Sequence, residues 1–114
     1  MALKKSNEYL VEHQILTYLS KLGIGFFWKN TSAGFHDGTR FRKHASPFAI
    51  NGTSDVLGLV NGGQFIAFEI KDKARATAEQ LTFIKKVQAL GGRGAVVRSV
   101  DQTRSALQEW GLIE

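Results

Sequence analysis

The chain has 114 residues, 43% of them hydrophobic, and a formal net charge of +5, which fits one domain spanning residues 1–114 with a single core. It contains no cysteine, so disulfides and zinc–thiolate sites are excluded, and a cytoplasmic setting is expected. No apolar run is long enough for a transmembrane helix or a signal peptide, and the basic charge favours a polyanionic partner such as nucleic acid over a membrane.

The first half of the chain predicts a helix followed by one strand and a possible second strand. Residues 6–22 carry an apolar stripe at helical spacing, and residues 24–29 form an aromatic-rich strand. Residues 30–51 have the weakest pattern. A strand is expected there around residues 39–43, next to a loop.

The second half predicts a strand–helix–strand crossover within a mixed sheet. The two strands are expected to be parallel and the connection right-handed. Thr77 and Gln80 match a capping box at the start of the helix. In chain order the elements are a hairpin over residues 55–71, a helix over residues 77–90, a strand over residues 93–98 and a helix from Ser99 to about Gly111.

The hairpin brings two acids together if its turn is the three residues 61–63. Counting back along both strands then puts Asp55 opposite Glu69, and Lys71 shares their face because side chains alternate along a strand. Like charges so placed are destabilising unless a cation lies between them, so the pattern predicts a metal-dependent hydrolase site. A two-residue turn would put the acids on opposite faces. The simpler interpretation is then a strand cap and a surface ion pair.

Basic side chains crowd two segments around this hairpin, which fits a phosphate backbone crossing a metal site. A basic protein without a nucleic-acid partner is the alternative. The three histidines show no metal-ligand spacing and are interpreted as surface or loop residues. The basic segments contain Arg40, Arg42, Lys43 and His44 in the first, and Lys71, Lys73 and Arg75 in the second.

Order, spacing and motifs together resemble the VRR-NUC domain, a branch of the PD-(D/E)XK nuclease superfamily. The resemblance covers about residues 8–100 and implies a restriction-endonuclease-like αβββαβ core, with a mixed sheet flanked by helices. Ser54 stands where the superfamily's name has proline. The matching pieces are Glu12, Gly52-Thr53-Ser54-Asp55, Glu69-Ile70-Lys71, Gln80 and Val96-Val97-Arg98.

The resemblance implies a site for magnesium or manganese built from hard oxygen ligands. It also implies that Lys71 orients or activates the attacking water and stabilises the transition state. Gln80 is expected to reach the site from its helix start, although it could instead bond back to the helix cap. The implied metal ligands are Glu12, Asp55, Glu69 and the carbonyl of Ile70, and the implied catalytic set is Asp55, Glu69, Lys71 and Gln80.

The function that the resemblance implies is metal-dependent, structure-selective cleavage of DNA. Four-way (Holliday) junctions or related branched DNA are the expected substrates, since family members act in DNA repair and the free-standing ones look like homodimers suited to junctions. The expected DNA contacts are Arg40, Arg42, Lys43, Lys73 and Arg98.

Two other functions remain open from the sequence. One is a non-catalytic nucleic-acid-binding module of a phage replication or packaging complex, and the other is a sequence-specific, restriction-type nuclease. Phe35, Phe41 and Phe48 are candidates for a dimer interface, because so many aromatic residues exceed what a solvated loop needs. The alternative is that they cover the domain's own core.

Overall fold

The computed structural model describes residues 7–31 and 47–114, together with the backbone of two short strands between them. Among the described helices, none is long and apolar enough to cross a membrane. The order of elements confirms the predicted α/β fold. In chain order they are α1 (Asn7–Ser20), β1 (Gly25–Lys29), β2 (Phe35–His36), β3 (Phe41–Arg42), β4 (Val56–Val60), β5 (Gln64–Ile70), α2 (Ala78–Ala89), β6 (Arg93–Val97) and α3 (Val100–Glu109).

A four-stranded mixed sheet with the order β1–β4–β5–β6 forms the centre of the fold. Neighbouring strands are antiparallel except β5 and β6, whose parallel pairing confirms the predicted crossover. The strand expected around residues 39–43 is shorter than predicted, and it pairs with β2 outside the main sheet. The three-residue turn is confirmed, since the turn spans Asn61–Gly63 and Val60 pairs with Gln64.

Side chains alternate along the strands, so the sheet has two faces, and different helices pack on each of them. On one face, which we call the α1/α3 face, residues of α1 and α3 close the main core against alternate residues of the strands. On the other, the α2 face, Ile84 of α2 lies against Gly94 of β6, where an added Cβ would come within 3.1 Å of its Cγ2. The core residues on the α1/α3 face are Ile15, Leu19, Val56, Val60, Ile66, Phe68, Ile70, Val97 and Leu107.

Side-chain caps start both C-terminal helices. Thr77 and Gln80 form the predicted capping box, with the Thr77 N–H donating to Gln80 Oε1 at 2.8 Å and the Gln80 N–H donating to Thr77 Oγ1 at 3.2 Å. At α3 half of the box is present. Ser99 Oγ accepts from the Gln102 N–H at 3.1 Å, but Gln102 Oε1 accepts from the Arg98 N–H instead of closing back on Ser99.

The segment that leads into β4 packs directly on the first turn of α2. Gly52 has a φ of +80°, and an added Cβ would lie 2.5 Å from the backbone carbonyl of Glu79. Only a residue without a side chain fits both the backbone angle and this contact. The contact fixes where the chain enters β4, and therefore where Asp55 stands.

We expect Gly52→Ala to lower the free energy of unfolding by roughly 2–4 kcal/mol, because it adds left-handed backbone strain and a clash with backbone atoms. Gly62→Ala is the matched control. Its φ is +84° with open space around it, so strain alone should cost about 1 kcal/mol. Urea unfolding followed by circular dichroism measures both changes, and equal losses would show that the contact with α2 contributes nothing.

Candidate functional site

Two carboxyl groups meet where β4 begins and β5 ends. The β4–β5 register carries Asp55 directly opposite Glu69, as the sequence predicts. Asp55 Oδ2 accepts a hydrogen bond from the Ile70 N–H at 2.8 Å, and the Asp55 backbone carbonyl accepts one from the Asn30 N–H at 2.8 Å. Asp55 is therefore held between β1 and β5, with its carboxylate turned toward the end of β5.

Glu69 is a buried acid with an unused oxygen. It is 1% exposed, and its Oε1 has no hydrogen-bond partner. Burial is the largest cause that raises the pKa of Glu69, followed by the hydrogen bond and the negative charge of Asp55, and together, against the lowering effect of Lys71, they bring it from about 4.5 to about 9. The carboxyl pair therefore holds a proton at neutral pH when no cation is bound.

Lys71 completes the group that the hairpin brings together. Its Nζ lies 3.9 Å from Glu69 Oε2, and its N–H donates to the Val97 carbonyl at 3.1 Å, which extends the pairing of β5 with β6 by one residue. The two acids and the lysine thus share one end of the α2 face. An ammonium group beside the pair can stabilise negative charge that develops on a bound substrate.

The donors fit a hard divalent cation that is shared with substrate. The buried Glu69 Oε1 and the adjacent Asp55 carboxylate offer two anionic oxygens, and Mg²⁺ is commonly held by one or two carboxylates plus water and phosphate oxygens. Within residues 7–31 and 47–114, no three Asp, Glu or His side chains form a ready-made metal-binding cluster. The arrangement is an open site and not a closed protein cage. Ligation by the Ile70 carbonyl stays a prediction.

Helix α1 carries two acids one turn apart. Glu12, the implied metal ligand, forms an ion pair with Lys29 at 2.8 Å, and its role as a ligand stays a prediction. Glu8 adds a negative charge that makes a minor contribution to the raised pKa of Glu69. Sequence reasoning did not single out Glu8, although its spacing of four residues from Glu12 places both acids on one side of the helix.

Two further expected site residues make local structural contacts. The Gln80 side chain closes the capping box, which is the alternative left open from the sequence. Arg98 Nη1 donates to the carbonyls of Asp72 at 3.1 Å and Ala74 at 3.0 Å, so it braces the segment that follows Lys71. A catalytic role for Gln80 and a DNA contact for Arg98 stay predictions.

The expected DNA contacts lie partly outside the described residues. Arg40 and Lys43 fall there, and of Arg42 only the backbone is described. Lys73 is exposed, on the segment that Arg98 braces. The second basic segment can therefore be placed beside the carboxyl pair, while the placement of the first rests on the sequence.

Comparison with solved structures finds the same arrangement of elements in a chain named "VRR_NUC domain protein". The two chains are 18% identical and superpose with a TM-score of 0.60 over 95% of this chain and 90% of the other. This chain has the fold of a VRR-NUC domain. No family model matches the sequence, and no curated protein does. At this identity the likeness establishes the fold, and the function has to be argued from the site.

The raised pKa of Glu69 gives the metal-free protein a defined pH dependence. The folded-state value near 9 lies above the ordinary value near 4.5, so the folded chain keeps a proton that the unfolded chain loses. Stability therefore falls as the pH rises from about 5 to about 9. Glu69→Gln removes this titration, and we expect its melting temperature in chelator to exceed that of the wild type by a margin that grows with pH.

The exposed Glu109 on α3 gives a matched control. Glu109→Gln makes the same substitution at a solvated position, so the difference between its pH profile and that of the wild type should be small. An equally small difference for Glu69→Gln would contradict the buried, protonated state assigned to Glu69.

Proposed function

We propose that the chain is a magnesium- or manganese-dependent endonuclease that hydrolyses phosphodiester bonds in branched DNA. The observation that carries the proposal is the carboxyl pair of Asp55 and Glu69, with a buried unpartnered oxygen and the Lys71 ammonium beside it. The name of the structural neighbour points to a nuclease. The net charge of +5 supports a polyanionic substrate.

Each residue of the proposed site has a separate role in hydrolysis. When bound, Mg²⁺ or Mn²⁺ lowers the pKa of a water molecule and neutralises phosphate charge. Asp55 and Glu69 would hold the ion, and Glu69 would have to give up its proton to do so. The bond from the Ile70 N–H fixes the direction of the Asp55 carboxylate. Lys71 orients the water that attacks phosphorus and stabilises the extra negative charge as the bond to one sugar oxygen breaks.

The same division gives the central test. Asp55→Asn should abolish both Mn²⁺ binding in calorimetry and cleavage, because it removes a ligand charge at nearly constant volume. Lys71→Ala should bind Mn²⁺ normally but cleave about 10²–10⁴-fold more slowly than the wild type, because the lysine acts on water and phosphate. Lys85→Ala, which removes an exposed lysine on α2, is the matched control and should cleave normally. Binding of DNA without metal should persist in all three variants.

Two results would refute these assignments. Cleavage by Asp55→Asn at the wild-type rate would refute the assignment of the metal site. An equal loss of Mn²⁺ affinity in Asp55→Asn and Lys71→Ala would contradict the separate roles of the two residues. The same titrations decide which acid of α1 contributes. Glu8→Gln and Glu12→Gln are a matched pair one turn apart, and the larger loss of affinity identifies the ligand.

Junction cleavage requires two active sites, since a four-way junction presents two symmetry-related strands and the described part of each chain contains one such carboxyl pair. A two-fold homodimer is the simplest assembly that supplies both. Phe48 is 89% exposed and is the candidate interface residue that the structure describes. The side chains of Phe35 and Phe41, the other two candidates, lie outside the described residues.

We expect light scattering at micromolar concentration to give twice the mass of the chain. With Mg²⁺ or Mn²⁺, a panel of four-way junctions, flaps and linear duplex should show preferred, paired incision of the branched substrates. A strict monomer that cuts both strands of a junction in one binding event would refute the dimer and leave the metal site untouched. Equal cleavage of linear duplex would refute structure selectivity.

A further inference from the structure

An exposed aromatic pair lies on the outermost strand of the sheet. Phe26 and Trp28 are alternate residues of β1, 61% and 39% exposed. Their rings stack on each other, with centroids 5.3 Å apart and 28° between the ring planes. Two large adjacent aromatic side chains on a surface strand expose apolar area that a monomeric protein normally covers, so the pair points to a partner.

The pair lies on the same face as the carboxyl pair and next to it. Trp28 pairs with Leu57 in the β1–β4 register, and Leu57 is two residues from Asp55 along β4. Residues two apart on a strand share a face, so Trp28 and Asp55 both lie on the α2 face. Diagonal neighbours of this kind are about 7–8 Å apart, which is within reach of the nucleotide next to a phosphate bound at Asp55.

Among the described residues, helix α2 does not extend over the part of the α2 face where Phe26 and Trp28 lie. Helix α2 packs on β5 and β6, where Ile84 lies against Gly94. On the β1 and β4 half of the same face, Leu59 is exposed next to its cross-strand partner Phe26. With respect to residues 7–31 and 47–114, the aromatic pair is therefore open to solvent beside the candidate site.

We propose that Phe26 and Trp28 form a stacking platform for an unpaired DNA base next to the scissile phosphate. The proposal rests on the proposed nuclease function and names the feature of the substrate that the site would select. Aromatic side chains stack on any base because every base has a π face, so such a platform is tolerant of sequence. A continuous duplex buries those faces in its own stack. Branched DNA exposes them at the crossing.

DNA is a better occupant of this surface than a second protein chain for two reasons. The surface is continuous with the carboxyl pair, so a protein docked on it would obstruct the approach of the substrate. Its two most exposed residues are stacked aromatic rings, which suit the flat face of a base, and the net charge of the chain is +5. An interface with another copy of the chain is the competing outcome that the experiment has to exclude.

Trp28 can report on the base directly by its fluorescence. The only other tryptophan is Trp110, whose ring packs on Phe68 at 5.5 Å, so Trp110→Phe leaves Trp28 as the reporter. Without divalent metal, oligothymidine and a four-way junction should quench its emission, while a blunt duplex of equal length should not. If Trp110→Phe fails to fold, the difference between the wild type and Trp28→Phe gives the same signal. The absence of quenching by both ligands would overturn the proposal.

Substitutions separate stacking from apolar contact. Trp28→Ala should weaken binding of oligothymidine and junction by about tenfold and leave duplex binding unchanged, while Trp28→Phe keeps a stacking face and most of the affinity. Leu59→Ala is the matched control, since it removes exposed apolar area without a π face. An equal loss in Leu59→Ala, or an equal loss of duplex affinity in Trp28→Ala, would overturn the platform.

Light scattering of Trp28→Ala decides between the two occupants. An unchanged mass supports the DNA platform, and a fall to half the mass of the wild type would assign this face to a second copy. The platform and the nuclease proposal fail separately. Quenching without cleavage of any substrate would refute the nuclease and keep the platform, and cleavage without quenching would do the reverse.

Discussion

A buried carboxyl pair needs a proton or a cation to compensate its charge, and the site follows from that requirement. Asp55 and Glu69 face each other across two central strands, and Glu69 keeps one oxygen without a partner. Burying two ionised acids side by side would cost more than their hydrogen bonds return. Lys71 shares the face of Glu69 by alternation along β5, and a slip by one residue at the turn would put Asp55 on the opposite face from both.

Helix α2 contributes both to the stability of the fold and to the geometry of the site. Helix α2 buries Ile84 against Gly94, and its first turn also receives the close backbone contact of Gly52. The contact of Ile84 with Gly94 packs the helix on β6. The contact of the helix with Gly52 fixes the segment that enters β4 at Asp55. A change at Gly52 therefore disturbs both the packing of α2 and the position of an acid.

The features that could be predicted from the sequence are local ones. The turn at residues 61–63 fixed the β4–β5 register, and Thr77 fixed the start of α2, since both depend on residues close together in the chain. The roles of Glu8 and Arg98 depend on how separate elements are packed. Helix periodicity places Glu8 and Glu12 on one side of α1 but does not say which of them approaches β5. Residues 30–51 lack a strong pattern, so the sequence predicts the position of the short β3 only approximately.

The charge distribution couples the binding of metal and of DNA in the proposed nuclease. The chain is basic overall, so it attracts a polyanion from a distance. Around Glu69 the charges are mixed, because Asp55 and Glu8 add negative charge and Lys71 adds positive charge. A phosphate drawn to the protein is therefore held less tightly at the carboxyl pair before a cation is bound there. The cation in turn gains oxygen ligands from the phosphate, so metal and DNA each strengthen the binding of the other at this site.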